Sequence, residues 1–219
     1  MKKVKPLNLP ESIADKVREM VICGVLAPGV QLRQMELSEQ FGTSRVPLRE
    51  ALKRLTVEGV VAHDQNRGFF VAKFSYDEAC QLYRIRHVLE RELLASVKWP
   101  TKAELTFLNK QVKKLDTLLT EHDVVGWLAL HREFFETIFN LSPQKFLVKE
   151  ALRFMRLTDC YRSLTHYSLT EGKHRTPSYK KHLLAALAEQ DRERLLVLFD
   201  EDRTEIEQRL LNDLRVRGL

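Results

Sequence analysis

The chain is poor in the features that mark secreted proteins, membrane proteins and the common enzyme classes. It has only three cysteines in 219 residues. Cys23, Cys80 and Cys160 are isolated and odd in number, with no C-x-x-C pair. That argues against a disulfide framework and against a zinc ribbon, and leaves a cytoplasmic protein with reduced thiols as the simplest expectation. No run of about twenty apolar residues is present, so no transmembrane helix is expected. The opening MKKVKPLNLP is basic, but no apolar stretch follows it. It reads as a basic arm rather than a secretory signal. There is no G-x-S-x-G, no H-E-x-x-H and no glycine-rich phosphate loop. An enzyme would need a nucleophile–base pair or an open metal site, and Ser163 with His166 is spaced like a chance pair at a helix end. The expectation is a non-enzyme, with no internal repeat and no low-complexity tract.

Hydrophobic residues make up 44% of the chain and charged residues 30%, the balance of an ordinary globular protein. The formal charge of +6 is unevenly spread. Residues 1–74 hold 12 basic and 8 acidic side chains, and the remaining two-thirds hold 24 and 22. The excess at the N-terminal end is modest, and alone it would not establish nucleic-acid binding.

The apolar spacing predicts a first helix over Glu11–Cys23, through Ile13, Val17, Met20 and Val21, stopped by Gly24. Ala27-Pro28-Gly29 makes a turn. A short helix follows from Gln34 to Gln40, and Gly42 stops it. Ser44 stands in N-cap position for a third helix, with Pro47 in the first turn, where its missing N–H costs nothing. That helix runs through Leu48, Ala51, Leu52 and Leu55 to about Glu58. Val60–Ala62 and Phe69–Val71 look like two strands, with residues 64–68 as the loop between them. The order of these pieces between Gln31 and Val71 is that of a winged helix-turn-helix.

A helix presented in this way fits the major groove of duplex DNA. Arg45 and Arg49 lie one turn apart and share a face, with Ser44 and Val46 beside them. Arginine can bind guanine O6 and N7 through two parallel bonds. Lys53 and Arg54 lie farther along and suit phosphate. Arg33 could clamp the backbone from the preceding helix. In the wing, Gly68 would let the main chain approach a groove, and Arg67 could reach into it.

After Lys73 the pattern is helical almost throughout, and the domain boundary is expected after residue 74. Helices are predicted over Tyr76–Val97, from Thr101 to about Thr120, over Val124–Phe139, from Ser142-Pro143 to about Leu164, over Tyr179–Leu187 and over Arg192–Arg215. Residues 165–177 are polar and read as a loop. Six such helices with short connections suggest an antiparallel bundle over residues 75–219. The expected fold is mainly α, a winged helix-turn-helix followed by an all-α bundle.

The strings GVLAPGVQL, ELSEQFGTSRVPLREALKRL and EGVVAHDQNRGFFV resemble the DNA-binding domain of the GntR family of bacterial transcription regulators, over about Leu9–Val71. The resemblance implies DNA contacts at Arg33, Arg45, Arg49 and Gly68, with Ser44 and Val46 nearby. The family often has threonine where Val46 stands; valine can touch a thymine methyl but cannot donate to phosphate. The strings LYRIRHVLERELLA and HLLAALAEQDRERL resemble the FCD-type effector domain of the FadR subfamily. That resemblance implies a homodimer that binds inverted-repeat DNA and a small organic acid or other metabolite in the bundle, whose binding changes the spacing of the DNA-reading heads.

Many FCD domains hold a divalent metal through an aspartate and three histidines. By resemblance His131, Phe135, Lys180 and Asp202 fall at those four positions, so no metal is expected. The alternative is a different register in which His131, His182 and Asp202 converge. A fixed cation, Lys180 or Arg86, could take the metal's place, with Tyr83, Phe135, Arg156 and Tyr161 lining the remainder and His131 and Asp202 nearby. A competing reading is an architectural or RNA-binding protein without sequence choice, which predicts a large salt slope and a specificity ratio near one.

Overall fold

The computed structural model describes residues 8–162 and 178–216. The basic arm at residues 1–7, the Ser163–His166 pair and the loop expected over residues 165–177 lie outside the described residues. The chain divides into two compact units, Met1–Lys73 and Phe74–Leu219.

In the first unit, α1 (Leu9–Ile22) opens with a proline in its first turn and buries Ile13, Ala14, Val17, Val21 and Ile22. Those positions recur at three and four residues, so they form one stripe. Helix α2 (Gln34–Gln40) buries Leu37 and Ser38. Helix α3 (Arg45–Val57) buries Leu48, Ala51, Leu52 and Leu55 and packs along α1. Fully burying a leucine contributes about 1.5–3 kcal/mol, so these two stripes hold the three-helix core.

Strands β1 (Val61–Asp64) and β2 (Gly68–Val71) pair antiparallel, with Val61 opposite Val71 and Asp64 opposite Gly68. The hairpin is tighter than the expected five-residue loop, because Asp64 and Gly68 are themselves the closing pair. The Asp64 carboxylate accepts the backbone N–H groups of Asn66 (2.8 Å) and Arg67 (2.9 Å), a side-chain turn that substitutes for a backbone one. Those two bonds hold its carboxyl below the usual carboxylate range. On its other edge β2 pairs with the segment before α2, through Leu32 N–H to the Phe69 carbonyl at 2.8 Å and Val71 N–H to the Val30 carbonyl at 2.9 Å.

The second unit has six long helices among the described residues: α4 (Tyr76–Ser96), α5 (Lys102–Thr120), α6 (Val124–Phe139), α7 (Lys145–Leu157), α8 (Ser178–Glu189) and α9 (Arg192–Val216). Side-chain caps start four of them, α9 included, where Asp191 accepts the Arg194 N–H at 3.0 Å. Ser75 accepts the Glu78 N–H, Thr101 forms a capping box with Glu104, and Asp123 accepts the Gly126 N–H. Helix α4 packs on α9 and α7, and α5 packs on α6 and α8.

The expected helix from Ser142 to Leu164 is interrupted. It ends at Leu157, and helical backbone resumes over residues 159–162. At the break the Thr158 hydroxyl donates to the Met155 carbonyl at 2.9 Å. Its oxygen also accepts Arg86 Nη1 at 2.6 Å. A tightened last turn and a guanidinium arriving from another helix therefore set the stop, and neither is visible in local sequence.

Candidate DNA interface and charged bundle core

Helix α3 is divided lengthwise. Its buried stripe faces α1, while Ser44, Arg45, Val46, Arg49 and Lys53 are exposed. Val46 is 68% exposed, an apolar side chain set between two arginines. Ser44 has extended backbone at the N-cap, but its side chain makes no capping bond. The expected cap is thus positional only, and the hydroxyl faces solvent.

Among the described residues, Arg45, Arg49 and Lys53 take part in no ion pair. Two of these cations stand in the first two turns, at the positive end of the helix, and no acidic residue stands in the first turn. A cation there opposes the helix dipole by about 0.3–1 kcal/mol. An anion docked against this end would relieve that cost.

The neighbouring arginines are spoken for. Arg54, half-exposed, reaches back to Glu11 (3.2 Å) and Glu58 (3.4 Å). Arg18 pairs with Glu58 at 2.5 Å. Arg33, at the N-cap of α2, lies 2.9 Å from Glu36, and both side chains are more than 60% exposed. In the wing, the Arg67 guanidinium lies 5.1 Å from the centre of the Phe70 ring. The Arg67 carbonyl accepts Gln31 Nε2 at 2.6 Å. Gly68 has φ +86°, and a Cβ added there would meet nothing within 4 Å. Conformation, not crowding, demands glycine at this position.

The core of the second unit is charged. Arg86, Glu90, His131, Asp159, Arg162, Lys180 and Arg203 are all at most 8% exposed. Arg86 Nε donates to Glu90 Oε1 at 2.7 Å, and Arg203 Nη2 lies 2.5 Å from Glu90 Oε2. Burial pulls the Arg203 guanidinium down, but Glu90 and Asp202 outweigh it and hold it above its ordinary value. Asp159 pairs with Arg132. Burial raises its carboxyl above the usual range against the pull of Arg132, Arg86 and Arg162.

The other expected effector residues divide into those in this core and those outside it. The His131 ring lies between Trp127 and Phe135, 4.8 Å from each. The Lys180 ammonium and the Arg162 guanidinium each lie 5.2 Å from the Trp127 ring centre. Tyr83 and Phe135 are buried. Tyr161 is buried among Ala79, Tyr83, Leu210 and Leu214. Its hydroxyl accepts the Ser75 N–H at 3.3 Å and donates to Glu78 at 3.2 Å, and burial pushes its pKa up to about 12. Asp202 is half-buried. Arg156 is exposed, because Val148, Ala151 and Met155 occupy the inward stripe of α7.

Glu90, Thr158 and Arg203 were not anticipated. A signal for two of them was present. Arg203 falls on the stripe Leu195, Phe199, Leu210, Leu214 of α9, and Glu90 on the stripe Ala79, Tyr83, Arg86, Leu93 of α4. A charge on an apolar stripe marks a buried pair.

This donor set does not fit a divalent metal. Of the four positions that correspond to the usual ligands, Phe135 offers only carbon and Lys180 carries positive charge. His182 is exposed while His131 is buried. Among the described residues no three His, Cys, Asp or Glu side chains gather into a metal-holding group, so His131, His182 and Asp202 do not converge.

A winged helix-turn-helix with exposed cations outside any ion pair on its second helix, followed by a helical unit, has the form of a DNA-binding regulator. The family described as bacterial regulatory proteins, gntR family, matches residues 9–71, and the FCD domain matches residues 81–198. The chain belongs to the GntR family, with an FCD domain as its C-terminal part. It is 32% identical over 152 residues to the Nta operon transcriptional regulator of Aminobacter aminovorans, covering 64% of this chain and 70% of that protein. It is 26% identical over 163 residues to the HTH-type transcriptional regulator YdhC of Bacillus subtilis, covering 70% and 72%. The solved structure of Escherichia coli McbR/YncC superposes with a TM-score of 0.74 over 98% of this chain and all of that one, at 24% identity, a likeness of fold. These relatives are named as regulators, not enzymes. No helix among the described residues is long and apolar enough to cross a membrane.

Proposed function

We propose that this protein is a homodimeric, sequence-specific repressor of the cytoplasm that reads an inverted repeat and responds to a small organic acid bound in its helical domain. One observation supports the DNA reading above the others: Arg45, Arg49 and Lys53 stand exposed on α3 without an ion pair, among arginines that do have partners. Ser44, Arg45, Val46 and Arg49 face base edges and the groove wall, and Lys53 meets phosphate. Arg33, Arg67 and Gly68 contact the flanking backbone and the adjacent groove.

Support for a second copy lies on α4. Val88 is 65% exposed in a groove of about 500 Å³ lined also by Arg84, His87, Arg91, Glu92 and Glu207. Both signs of charge around an apolar centre suit a self-complementary two-fold contact. Support for the acid effector lies in the four buried cations of the bundle against two buried carboxylates. Effector binding changes DNA affinity through differential affinity for two arrangements of the dimer. Repression requires only that a bound dimer occupy promoter DNA.

Selection from random duplex DNA, followed by sequencing, tests this reading. One enriched inverted repeat is the expected result, and transcription in vitro from a promoter carrying it should fall. Binding without enrichment would overturn the sequence-specific reading in favour of a non-specific binder.

A further inference from the structure

Helix α3 turns by about 100° per residue. Its buried positions Leu48, Ala51, Leu52 and Leu55 therefore share one side. The line opposite that side passes close to Val46, with Arg49 and Lys53 beside it and Arg45 on its flank. Val46 is thus an apolar side chain at the outermost part of a charged face, and it is 68% exposed. Valine holds essentially one rotamer in a helix, so its two methyl groups are presented in a fixed position.

A second residue limits what this line can meet. Glu50 is exposed one turn after Val46, about 40° round the helix from it. Among the described residues it takes part in no ion pair, as is true of Arg45 and Arg49. A carboxylate repels phosphate, so the line through Val46 and Glu50 does not suit the groove walls. The arginines on the flank suit guanine edges or phosphate. What remains for Val46 is the floor of the groove. Val57 is 79% exposed on the same side, but it lies about 16 Å farther along the axis. That end is turned away from the bases when the N-terminus of a helix enters the groove.

The floor of the major groove offers one apolar group, the C5 methyl of thymine. The Val46 side chain has no donor or acceptor, so it gains nothing from a purine edge or from the cytosine amino group. It gains only where another apolar group leaves water with it. We infer that Val46 is a specificity-determining residue that selects thymine, through its C5 methyl, at one position of each half-site, beside a base read by Arg45 or Arg49. The recognised group is the methyl, so 5-methylcytosine substitutes for thymine in part and uracil does not. The assignment rests on the reading of the protein as a sequence-specific DNA binder.

The test uses full-length protein and the inverted repeat enriched from random duplex DNA. Each thymine of one half-site is replaced in turn by uracil, which removes the methyl and keeps every hydrogen bond. At one position wild type should lose roughly fourfold in affinity, the scale of one methyl group returned to water. At that position 5-methylcytosine should bind better than cytosine by a similar factor. In Val46→Ser both ratios should fall below about twofold, as a double-mutant cycle requires of a direct contact. The unfolding midpoint should not move, because the side chain is exposed. A methyl dependence that persists in Val46→Ser, or an operator in which no thymine methyl matters, would overturn the inference and leave the sequence-specific reading standing. The absence of any enriched repeat would overturn both.

Discussion

Glu58, at the end of α3, lies 2.5 Å from Arg18 of α1, and each side chain is less than one-fifth exposed. This pair fastens the far end of the DNA-reading helix to the helix behind it. Burial pulls the Arg18 guanidinium down, but hydrogen bonding and charge from Glu58 and Asp15 more than compensate. Removing Arg18 leaves the largely buried Glu58 with only the longer contact to Arg54 at 3.4 Å, at a cost of about 1–3 kcal/mol. Arg18→Met should therefore lower the urea midpoint of the winged unit. Below that transition, operator affinity should stay within a factor of about two, because neither residue is on the exposed face of α3.

Arg45→Ala and Arg49→Ala should act differently. Both positions are exposed and unpaired, so folding stability should change little or rise slightly as the helix dipole loses an opposing charge. Operator affinity should fall by about 1–3 kcal/mol, with relaxed base preference at one position of each half-site. Lys53→Ala should weaken all sequences alike and reduce the salt slope by about one. Fluorescence anisotropy on operator and scrambled duplexes at several salt concentrations separates the two classes. Equal losses on both duplexes for Arg45→Ala would remove it from base readout.

At Gly68 the backbone has φ +86° with open space where a Cβ would stand. Gly68→Ala introduces conformational strain without a collision, about 1–2 kcal/mol. Gly68→Asn should cost less, since asparagine tolerates positive φ. The expected result is a graded loss of wing stability in hydrogen exchange, Ala worse than Asn, with α3 protection unchanged. Similar effects of the two substitutions would place the importance of Gly68 in close approach to DNA instead.

Much of this was legible in the chain because it is encoded locally. Helices α2 and α6 start and stop where the stop residues and the apolar period put them, and Gly24, Gly42 and Gly68 each mark a positive φ. The exposed face of α3 follows from its 3.6-residue period alone. What stayed hidden depends on partners far away in sequence. The partner of Arg54, Glu11, stands 43 positions earlier. Thr158 breaks a helix that its own neighbours would continue, because Arg86 arrives from 72 positions earlier. Arg156 was expected inside, yet one residue of helical rotation from Met155 carries it to the surface. Arg203 and Glu90 sit on apolar stripes, where a charge is a sign of pairing but names no partner.

The start of α5 offers a pH test of a single cap. Thr101 Oγ1 accepts the Glu104 N–H at 3.3 Å, and Glu104 Oε2 accepts the Thr101 N–H at 2.7 Å. The Thr101 backbone and then its hydroxyl hold the Glu104 carboxyl below the usual glutamate value. A carboxyl lowered in the folded state contributes stability that is fully present above its unfolded value and is lost as pH falls through the folded one. The site is close to solvent, so the contribution is that of an ordinary exposed cap, roughly 0.5–1 kcal/mol. Urea unfolding of wild type and Glu104→Gln between pH 7 and 3 should show an advantage for wild type near neutrality that shrinks below about pH 4.5. Thr101→Ala should lose about 1 kcal/mol but keep the larger part of that difference, because the backbone N–H of residue 101 still donates to the glutamate. A constant gap between wild type and Glu104→Gln across the range would mean that the shape of the side chain, not its charge, makes the cap.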